Sequence, residues 1–180
     1  MRVLDLCCGL GGWVVSGHRF IGVDVRRFPY PGELILADVR NFDGRRFQSF
    51  DLIVASPPCN EFTQAKRFHG ITIDPDLSIV RACFRIAKES GVPIVLENVR
   101  DARRWLGPSV CHRGSFYLWG DVPILPQMKI PPKIGGSWTK TRPSYSKRGW
   151  ADKKSPEERA RIPPVLARAV MRAFSERAPR

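Results

Sequence analysis

Three features are missing from this sequence of 180 residues. No apolar run approaches the roughly 20 residues that a membrane-spanning helix needs, so we expect no membrane segment. Residues 1–5 already resemble a strand and lack the basic region and apolar core of a secretory signal, so we expect a cytoplasmic protein. The five cysteines include no Cys-x-x-Cys pair, which favours free thiols in a reducing compartment over a disulfide framework.

Metal ligands are also poorly placed along the chain. A zinc site could in principle combine Cys7, Cys8 and His18. Adjacent cysteines rarely fit the tetrahedral geometry of zinc, so we expect no metal.

Acidic residues are scarce, since 17 Asp and Glu face 30 Lys and Arg, a net charge of +13. The imbalance is uneven: residues 1–120 hold 16 basic and 12 acidic residues, whereas residues 121–180 hold 14 and 5. This asymmetry indicates a polyanionic partner that meets the C-terminal third. The alternative is that basic residues only keep a small protein soluble.

Short, nearly all-apolar runs alternate with longer mixed segments over the first 100 residues, which is typical of a parallel sheet buried on both faces. A helix is expected between the fourth and fifth runs, over residues 77–89, and shorter helices over 12–17 and 42–50. The pattern predicts a doubly wound α/β fold. The predicted strands are residues 3–7, 20–25, 34–37, 52–55 and 93–96.

The chain divides by composition into three parts. Residues 1–120 are expected to form the cofactor-binding and catalytic domain. Residues 121–158 are rich in Pro, Gly and basic residues and are expected to form a small basic insert. Residues 159–180 are expected to form a C-terminal helix, with Pro163 and Pro164 separating a short first turn from the main helix.

A glycine-rich turn, Asp-Leu-Cys-Cys-Gly-Leu-Gly-Gly at residues 5–12, directly follows the first strand. Glycine lets the backbone turn sharply and approach a ligand. Asp24 and Asp38 end the next two strands, where carboxylates can bind a ribose diol and an adenine amino group, although each could instead cap a turn. Neither a GxGxxG fingerprint nor a P-loop is present, which disfavours a dehydrogenase or an ATPase.

Two further motifs follow the fourth and fifth strands: Ser-Pro-Pro-Cys at residues 56–59 and Glu-Asn-Val at residues 97–99. With the turn at 5–12 and the Ile-Pro-Pro-Val-Leu-Ala segment at 162–167, they make the chain resemble the DNA cytosine-5 methyltransferase family. The resemblance implies a Rossmann-like sheet, S-adenosyl-L-methionine as cofactor, DNA as partner and a flipped target base. We expect a monomer. The cofactor residues implied are Asp5, Leu6, Cys7, Gly9, Gly11, Gly12, Asp24, Val25, Asp38, Val39 and Pro57.

The resemblance also implies the catalytic residues. Cys59 would add to carbon 6 of cytosine and so make carbon 5 nucleophilic, and Glu97 would donate to N3. A buried structural thiol and an ion-pair partner are the alternatives for these two. The family carries an Arg-x-Arg element that holds the 2-oxo group. Here only Arg113 is available for that role, with His112 as a substitute.

The segment available for target recognition is short. Its basic and aromatic residues suit phosphate contact and stacking more than the readout of many bases, which predicts a short recognition sequence or relaxed specificity. A solvated charged loop is the alternative. The nucleic-acid residues we expect are Asn60, Thr63, Lys66, Arg67, Lys140, Arg142, Lys147 and Arg148.

Rival functions remain open at this point. The same chemistry on RNA is one, and a catalytically inactive DNA-binding module is another. Methylation of an exocyclic amino group is disfavoured because those enzymes want an aromatic residue where Cys59 stands. So compact and basic an enzyme would suit a phage or a restriction–modification setting.

Overall fold

A seven-stranded sheet organises the part of the chain that the computed structural model describes, namely residues 1–62, 74–130, 158 and 161–176. Most of the predicted basic insert lies outside these ranges, and the division of the chain into three parts stays a prediction. The strands are β1 (Arg2–Leu6), β2 (Arg19–Asp24), β3 (Glu33–Leu36), β4 (Leu52–Ala55), β5 (Ile94–Asn98), β6 (Cys111–Arg113) and β7 (Phe116–Gly120).

The strand order is β3-β2-β1-β4-β5-β7-β6. Strands β1 to β5 are parallel, and β7 runs antiparallel to β5 and to β6. The order reverses between β1 and β4, which is where open α/β sheets bind their ligands. The doubly wound α/β fold predicted from the apolar runs is confirmed.

All five predicted strands occur, each within a few residues of its expected bounds. The β6–β7 hairpin was not predicted. Its turn is Gly114-Ser115, and Gly114 has a φ of +57°, a conformation that favours glycine. A Gly-Ser pair between two short apolar segments is a hairpin signal that the sequence analysis missed.

In the described part of the chain the sheet is accompanied by the α-helices α1 (Ser78–Ser90), α2 (Arg103–Leu106) and α3 (Pro164–Ser175). The helix expected over 77–89 is confirmed, and Gly91 ends it with a φ of +70° and an N–H that donates to Ala87. No helix in the described ranges is long and apolar enough to cross a membrane. The short 3₁₀ turns are Val39–Asn41, Gly44–Phe47, Asn60–Phe62 and Arg100–Ala102.

Both predicted short helices, over residues 12–17 and 42–50, are wrong. Residues 12–17 form turns, because glycine disfavours a helix and the Trp13 side chain is drawn into the core with 1% of its surface exposed. Within residues 42–50 only the 3₁₀ turn Gly44–Phe47 forms. The connection from β1 to β2 therefore contains no helix.

Each face of the sheet carries its own hydrophobic core. One face packs against α1, through residues such as Leu4, Ile53 and Cys83. The other face packs against α3, through residues such as Val3 and Leu166. The C-terminal helix α3 thus covers the face of β1 that a helix between β1 and β2 would otherwise cover.

Candidate active site

A cavity of about 480 Å³ opens at the carboxyl ends of β1 and β4, where the strand order reverses. Its volume is in the range of small-molecule sites. Four segments form its wall: the turn after β1, the end of β2, the loop after β4 and the residues before α3. The lining residues are Cys7, Cys8, Gly9, Leu10, Gly12, Trp13, Asp24, Val25, Arg26, Phe28, Ser56, Pro58, Cys59, Asn60, Arg161 and Ile162.

The turn after β1 has the backbone geometry that its glycines predict. Gly9 and Gly11 have φ values of +47° and +70°, and Cys7 shares this left-handed conformation with a φ of +55°. Gly12 is needed for another reason: a Cβ on this residue would lie 2.6 Å from the backbone nitrogen of Ile162. Only glycine at position 12 lets the segment before α3 approach the turn this closely.

Asp24 holds the turn from the end of β2. Its Oδ2 accepts from the N–H of Gly9 at 3.0 Å, and its Oδ1 accepts from the N–H of Arg26 at 3.0 Å. A carboxylate has about four lone-pair sites, so two backbone donors leave room for the hydroxyls of a ribose. Asp24 lines the cavity, and its contact with a cofactor stays a prediction.

Asp5 lies beneath the turn and is fully buried. Its Oδ2 accepts from the Tyr30 hydroxyl at 3.2 Å, while no described residue is within hydrogen-bond distance of its Oδ1. Burial raises the pKa of Asp5 well above its usual value, and the nearby Asp24 charge adds to this, whereas the Tyr30 hydrogen bond opposes it. The carboxyl therefore holds a proton to higher pH than a solvated aspartate does.

The loop after β4 is held from two sides. The indole Nε1 of Trp13 donates to Ser56 Oγ at 2.9 Å, and the Nδ2 of Asn98 donates to the carbonyl oxygen of Pro57 at 3.1 Å. Pro57 and Pro58 fix two φ angles ahead of Cys59. Cys59, which is half-buried, lines the same cavity as the glycine-rich turn.

Glu97 lies near the carboxyl end of β5, with 4% of its surface exposed. Strand β5 is the neighbour of β4, and the register pairs Ala55 with Leu96, so Ser56 and Glu97 lie at the same level of the sheet. Glu97 does not itself line the cavity. The sheet places it one strand away from the loop that carries Cys59.

Several predicted cofactor residues lie behind or beside the cavity wall. Asp38 is turned toward Arg40, with a 2.6 Å contact between its Oδ2 and the guanidinium, and these hydrogen bonds lower the pKa of Asp38. The other predicted cofactor residues that do not line the cavity are all buried, namely Asp5, Leu6, Gly11, Val39 and Pro57.

Arg113 has a structural role that the sequence analysis missed. Its guanidinium donates to three carbonyl oxygens, those of Leu125 at 2.5 Å, His112 at 2.9 Å and Pro126 at 3.1 Å. These bonds hold the segment after β7 against β6, two strands from Glu97. The structure does not bring Arg113 into the cavity, and its contact with a cytosine stays a prediction.

Of the predicted nucleic-acid residues, only Asn60 lies in the described part of the chain, and it is exposed at the cavity. The structure describes nothing of the others, so they stay predictions: Thr63, Lys66, Arg67, Lys140, Arg142, Lys147 and Arg148.

The cavity also contains residues that the sequence analysis did not single out: Trp13, Arg26, Phe28, Ser56, Arg161 and Ile162. The sequence does offer a reason to expect Trp13 and Ser56 in the cavity, because each lies in or next to a predicted motif. The pair Arg161 and Ile162 directly precedes the two prolines, but nothing in the sequence indicates that this segment reaches the turn after β1.

The five cysteines are all free thiols. A hydrogen bond with Cys83, together with burial, raises the pKa of the Cys7 thiol. Burial likewise raises the pKa of Cys8. Among the described residues, no cluster of His, Cys, Asp and Glu is arranged to hold a metal ion.

The strand order and the cavity at its point of reversal define a doubly wound, Rossmann-like α/β sheet. The model of the C-5 cytosine-specific DNA methylase family matches residues 26–104, which include the Pro-Pro-Cys loop and the Glu-Asn-Val strand. The matched range covers a little under half of the chain and agrees with the resemblance that the motifs carry. The glycine-rich turn and helix α3 lie outside the matched range.

Two solved structures are similar in outline only. A Burkholderia pseudomallei protein described as exported is 13% identical, with a TM-score of 0.36 over 55% of this chain and 47% of that one. The antibiotic-resistance methyltransferase Kmr is 15% identical, with a TM-score of 0.34 over 88% of this chain and 74% of that one. Scores this low add nothing to the assignment. No curated protein sequence matches the chain.

Proposed function

We propose that the protein transfers a methyl group from S-adenosyl-L-methionine to carbon 5 of cytosine in DNA, through a covalent bond between Cys59 and carbon 6. One observation carries the proposal: Cys59 and the glycine-rich turn, with Asp24, line the same cavity. A nucleophile and a nucleotide-binding turn in one cavity allow the methyl donor and the activated base to meet.

The chain's residues fit the cofactor. The cavity of about 480 Å³ is large enough for an adenosyl group. Asp24 offers carboxylate oxygens to the ribose hydroxyls, and Val25 and Phe28 offer apolar surface to the base. When bound, the cofactor supplies a methyl group on a positively charged sulfur.

The Cys59 thiolate starts the reaction by forming a bond to carbon 6 of cytosine. The electron pair of the carbon 5–carbon 6 double bond moves toward the ring nitrogen N3, where Glu97 supplies a proton. Carbon 5 of the resulting enamine would take the methyl group as the bond from that group to the cofactor sulfur breaks, and sulfur would keep the electron pair as a neutral thioether. A base then removes the proton from carbon 5, the carbon 5–carbon 6 double bond re-forms, Cys59 leaves as a thiolate, and the N3 proton returns to Glu97.

DNA is the proposed substrate because residues 26–104 match a DNA methylase family and the chain carries a net charge of +13. A strongly basic protein binds phosphate backbones of many sequences. We expect base selection to be limited and the enzyme to act as a monomer.

The test uses a DNA duplex that contains 5-fluorocytosine, together with labelled cofactor. Fluorine at carbon 5 cannot leave as a proton does, so the enzyme should stay bonded to the DNA on a denaturing gel. Cys59→Ser should abolish the adduct. Cys111→Ser, which changes a half-buried thiol on β6 outside the cavity, should retain it.

The outcomes separate the rival functions. An adduct on RNA alone would change the substrate but keep the chemistry. If duplex DNA, single-stranded DNA and RNA all give no adduct although the cofactor binds, the cytosine-5 proposal is wrong and an inactive binding module is favoured.

A further inference from the structure

Arg161 lines the cavity but has no role in the proposed methyl transfer. The first part of its side chain packs against the glycine-rich turn, because a Cβ on Gly12 would lie 3.2 Å from Arg161 Cγ. The guanidinium of Arg113, by contrast, donates hydrogen bonds to three carbonyl groups. Among the described residues the Arg161 guanidinium has no hydrogen bond or ion pair.

The backbone next to Arg161 also favours an anion. Leu10 and Gly12 line the cavity, and neither N–H donates to a described residue. The φ values of the neighbouring Gly9 and Gly11 are positive. Successive N–H groups in a turn of this kind form a concave site for negatively charged oxygens. A guanidinium beside such N–H groups is well suited to a carboxylate, which it can bind through two parallel hydrogen bonds.

The cavity therefore carries opposite charges at two places. Asp24, at the end of β2, supplies the carboxylate, while Arg161 supplies the cation beside Gly12. A matching ligand would bring hydroxyl donors to the first place and an anionic group to the second. S-Adenosylmethionine has this arrangement, because its ribose diol and its amino-acid carboxylate lie on opposite sides of the sulfur.

We propose that Arg161 binds the carboxylate of the amino-acid part of the cofactor, an inference that rests on the proposed function. Arg161 would then select for ligands in which this amino-acid part is intact. The other anion that could reach a cavity-lining arginine is a DNA phosphate. The two sources differ in one measurable respect: only the first makes binding of the cofactor, in the absence of DNA, depend on Arg161.

The experiment compares two nucleosides in the full chain without DNA. S-Adenosylhomocysteine keeps the amino acid, whereas 5′-methylthioadenosine replaces it with a methyl group. Calorimetry, or the fluorescence of the cavity residue Trp13 against the other tryptophans, gives both dissociation constants. The variants are Arg161→Ala, Arg161→Lys, Arg26→Ala and Arg168→Ala.

We expect Arg161→Ala to weaken S-adenosylhomocysteine binding by about tenfold or more, as for the loss of a charged hydrogen bond. The dissociation constant of Arg161→Ala for 5′-methylthioadenosine should stay within about twofold of that of the unaltered protein. Arg161→Lys should restore part of the loss. Arg26, the other cavity guanidinium, packs over the Phe28 ring at 4.8 Å, so Arg26→Ala should affect both ligands alike. Arg168→Ala, an exposed change on α3, should affect neither.

Equal losses for both nucleosides, or no loss for either, would overturn the role of Arg161 and leave the proposed function intact. A loss seen only in DNA affinity would assign Arg161 to a phosphate instead. If the unaltered protein binds neither nucleoside, both this inference and the proposed cofactor are wrong.

Discussion

The buried side chain of Asn98, at the end of β5, is hydrogen-bonded to the loop after β4. Its Nδ2 donates to the carbonyl oxygen of Pro57 at 3.1 Å, and its Oδ1 accepts from the N–H of Val99 at 2.8 Å. With 1% of its surface exposed, this amide is shielded from competing water. The bond fixes the loop that carries Cys59 relative to the strand that carries Glu97.

Replacing Asn98 should therefore lower turnover more than cofactor binding. We expect Asn98→Ala to leave the Pro57 carbonyl unpaired, to destabilise the fold by about 1–3 kcal/mol and to reduce kcat by about tenfold or more. Denaturant unfolding and steady-state kinetics measure the two effects. Asn41→Ala, an exposed change in a 3₁₀ turn, is the control. A kcat equal to that of the unaltered enzyme would show that the bond does not position the loop.

Glu97→Gln tests proton donation to the base. Glutamine keeps the shape of the buried side chain but cannot supply the proton, so kcat should fall by about 10²-fold or more. The dissociation constant for S-adenosylhomocysteine should not change, because Glu97 does not line the cavity. Glu33→Gln, at the exposed edge of β3, provides the matched change. Turnover within threefold of the unaltered enzyme would remove Glu97 from the mechanism.

Gly12→Ala tests the contact between the turn and the C-terminal segment. The added methyl group would meet the Ile162 nitrogen at 2.6 Å, so backbone must move. We expect a loss of about 2–3 kcal/mol in the free energy of unfolding, and weaker binding of S-adenosylhomocysteine.

Gly17→Ala provides the comparison for this prediction. A Cβ there meets nothing within 4 Å, and the φ of +85° alone makes the change costly. It should destabilise the protein by about 1–2 kcal/mol without affecting ligand affinity. Unchanged ligand affinity in Gly12→Ala would mean that the close contact is not needed for the cavity.

Asp5→Asn should alter how stability depends on pH. Burial raises the pKa of Asp5 in the folded state above the unfolded value of about 3.9. The folded chain therefore holds this proton more tightly, and the resulting stability is full below about pH 4 and is lost as the pH rises through the folded pKa. The Tm of Asp5→Asn relative to the unaltered protein should thus increase between about pH 5 and about pH 8.

Asp38→Asn is the control for the opposite sign. The hydrogen bonds from Arg40 lower the pKa of Asp38, so its contribution is present above the unfolded pKa and is lost as the pH falls below about 4. Its Tm difference should be flat between about pH 5 and about pH 8. The same flat profile for Asp5→Asn would show that Asp5 is already ionised in the folded protein.

The sheet and its functional edge could be predicted from the sequence, because strands buried on both faces leave continuous apolar runs such as Leu52–Ala55. Residues that follow parallel strands meet at one edge, so the presence of Cys59 beside the glycine-rich turn also follows from the pattern. The Gly114-Ser115 pair between two short segments also predicts the β6–β7 hairpin, although the predicted strands did not include it.

Other features depend on contacts between distant segments, which no local pattern encodes. Arg113 resembles a substrate-binding arginine in sequence, yet its donors meet the carbonyl groups of Leu125 and Pro126. Asp38 follows its strand as expected, but its carboxylate accepts hydrogen bonds from Arg40, two residues later. Arg161 reaches the cavity only because Gly12 allows the chain to pass so closely.

The connection from β1 to β2 contains no helix, and α3 covers that face of the sheet instead. A ribosome therefore releases β1 and the glycine-rich turn long before the element that shields them. Until residues 161–175 emerge, Val3 and Trp13 lack their partners and the cavity lacks one wall. Binding of the proposed cofactor during synthesis should begin only then, so a chain that still lacks residues 161–175 gains no stability from that cofactor.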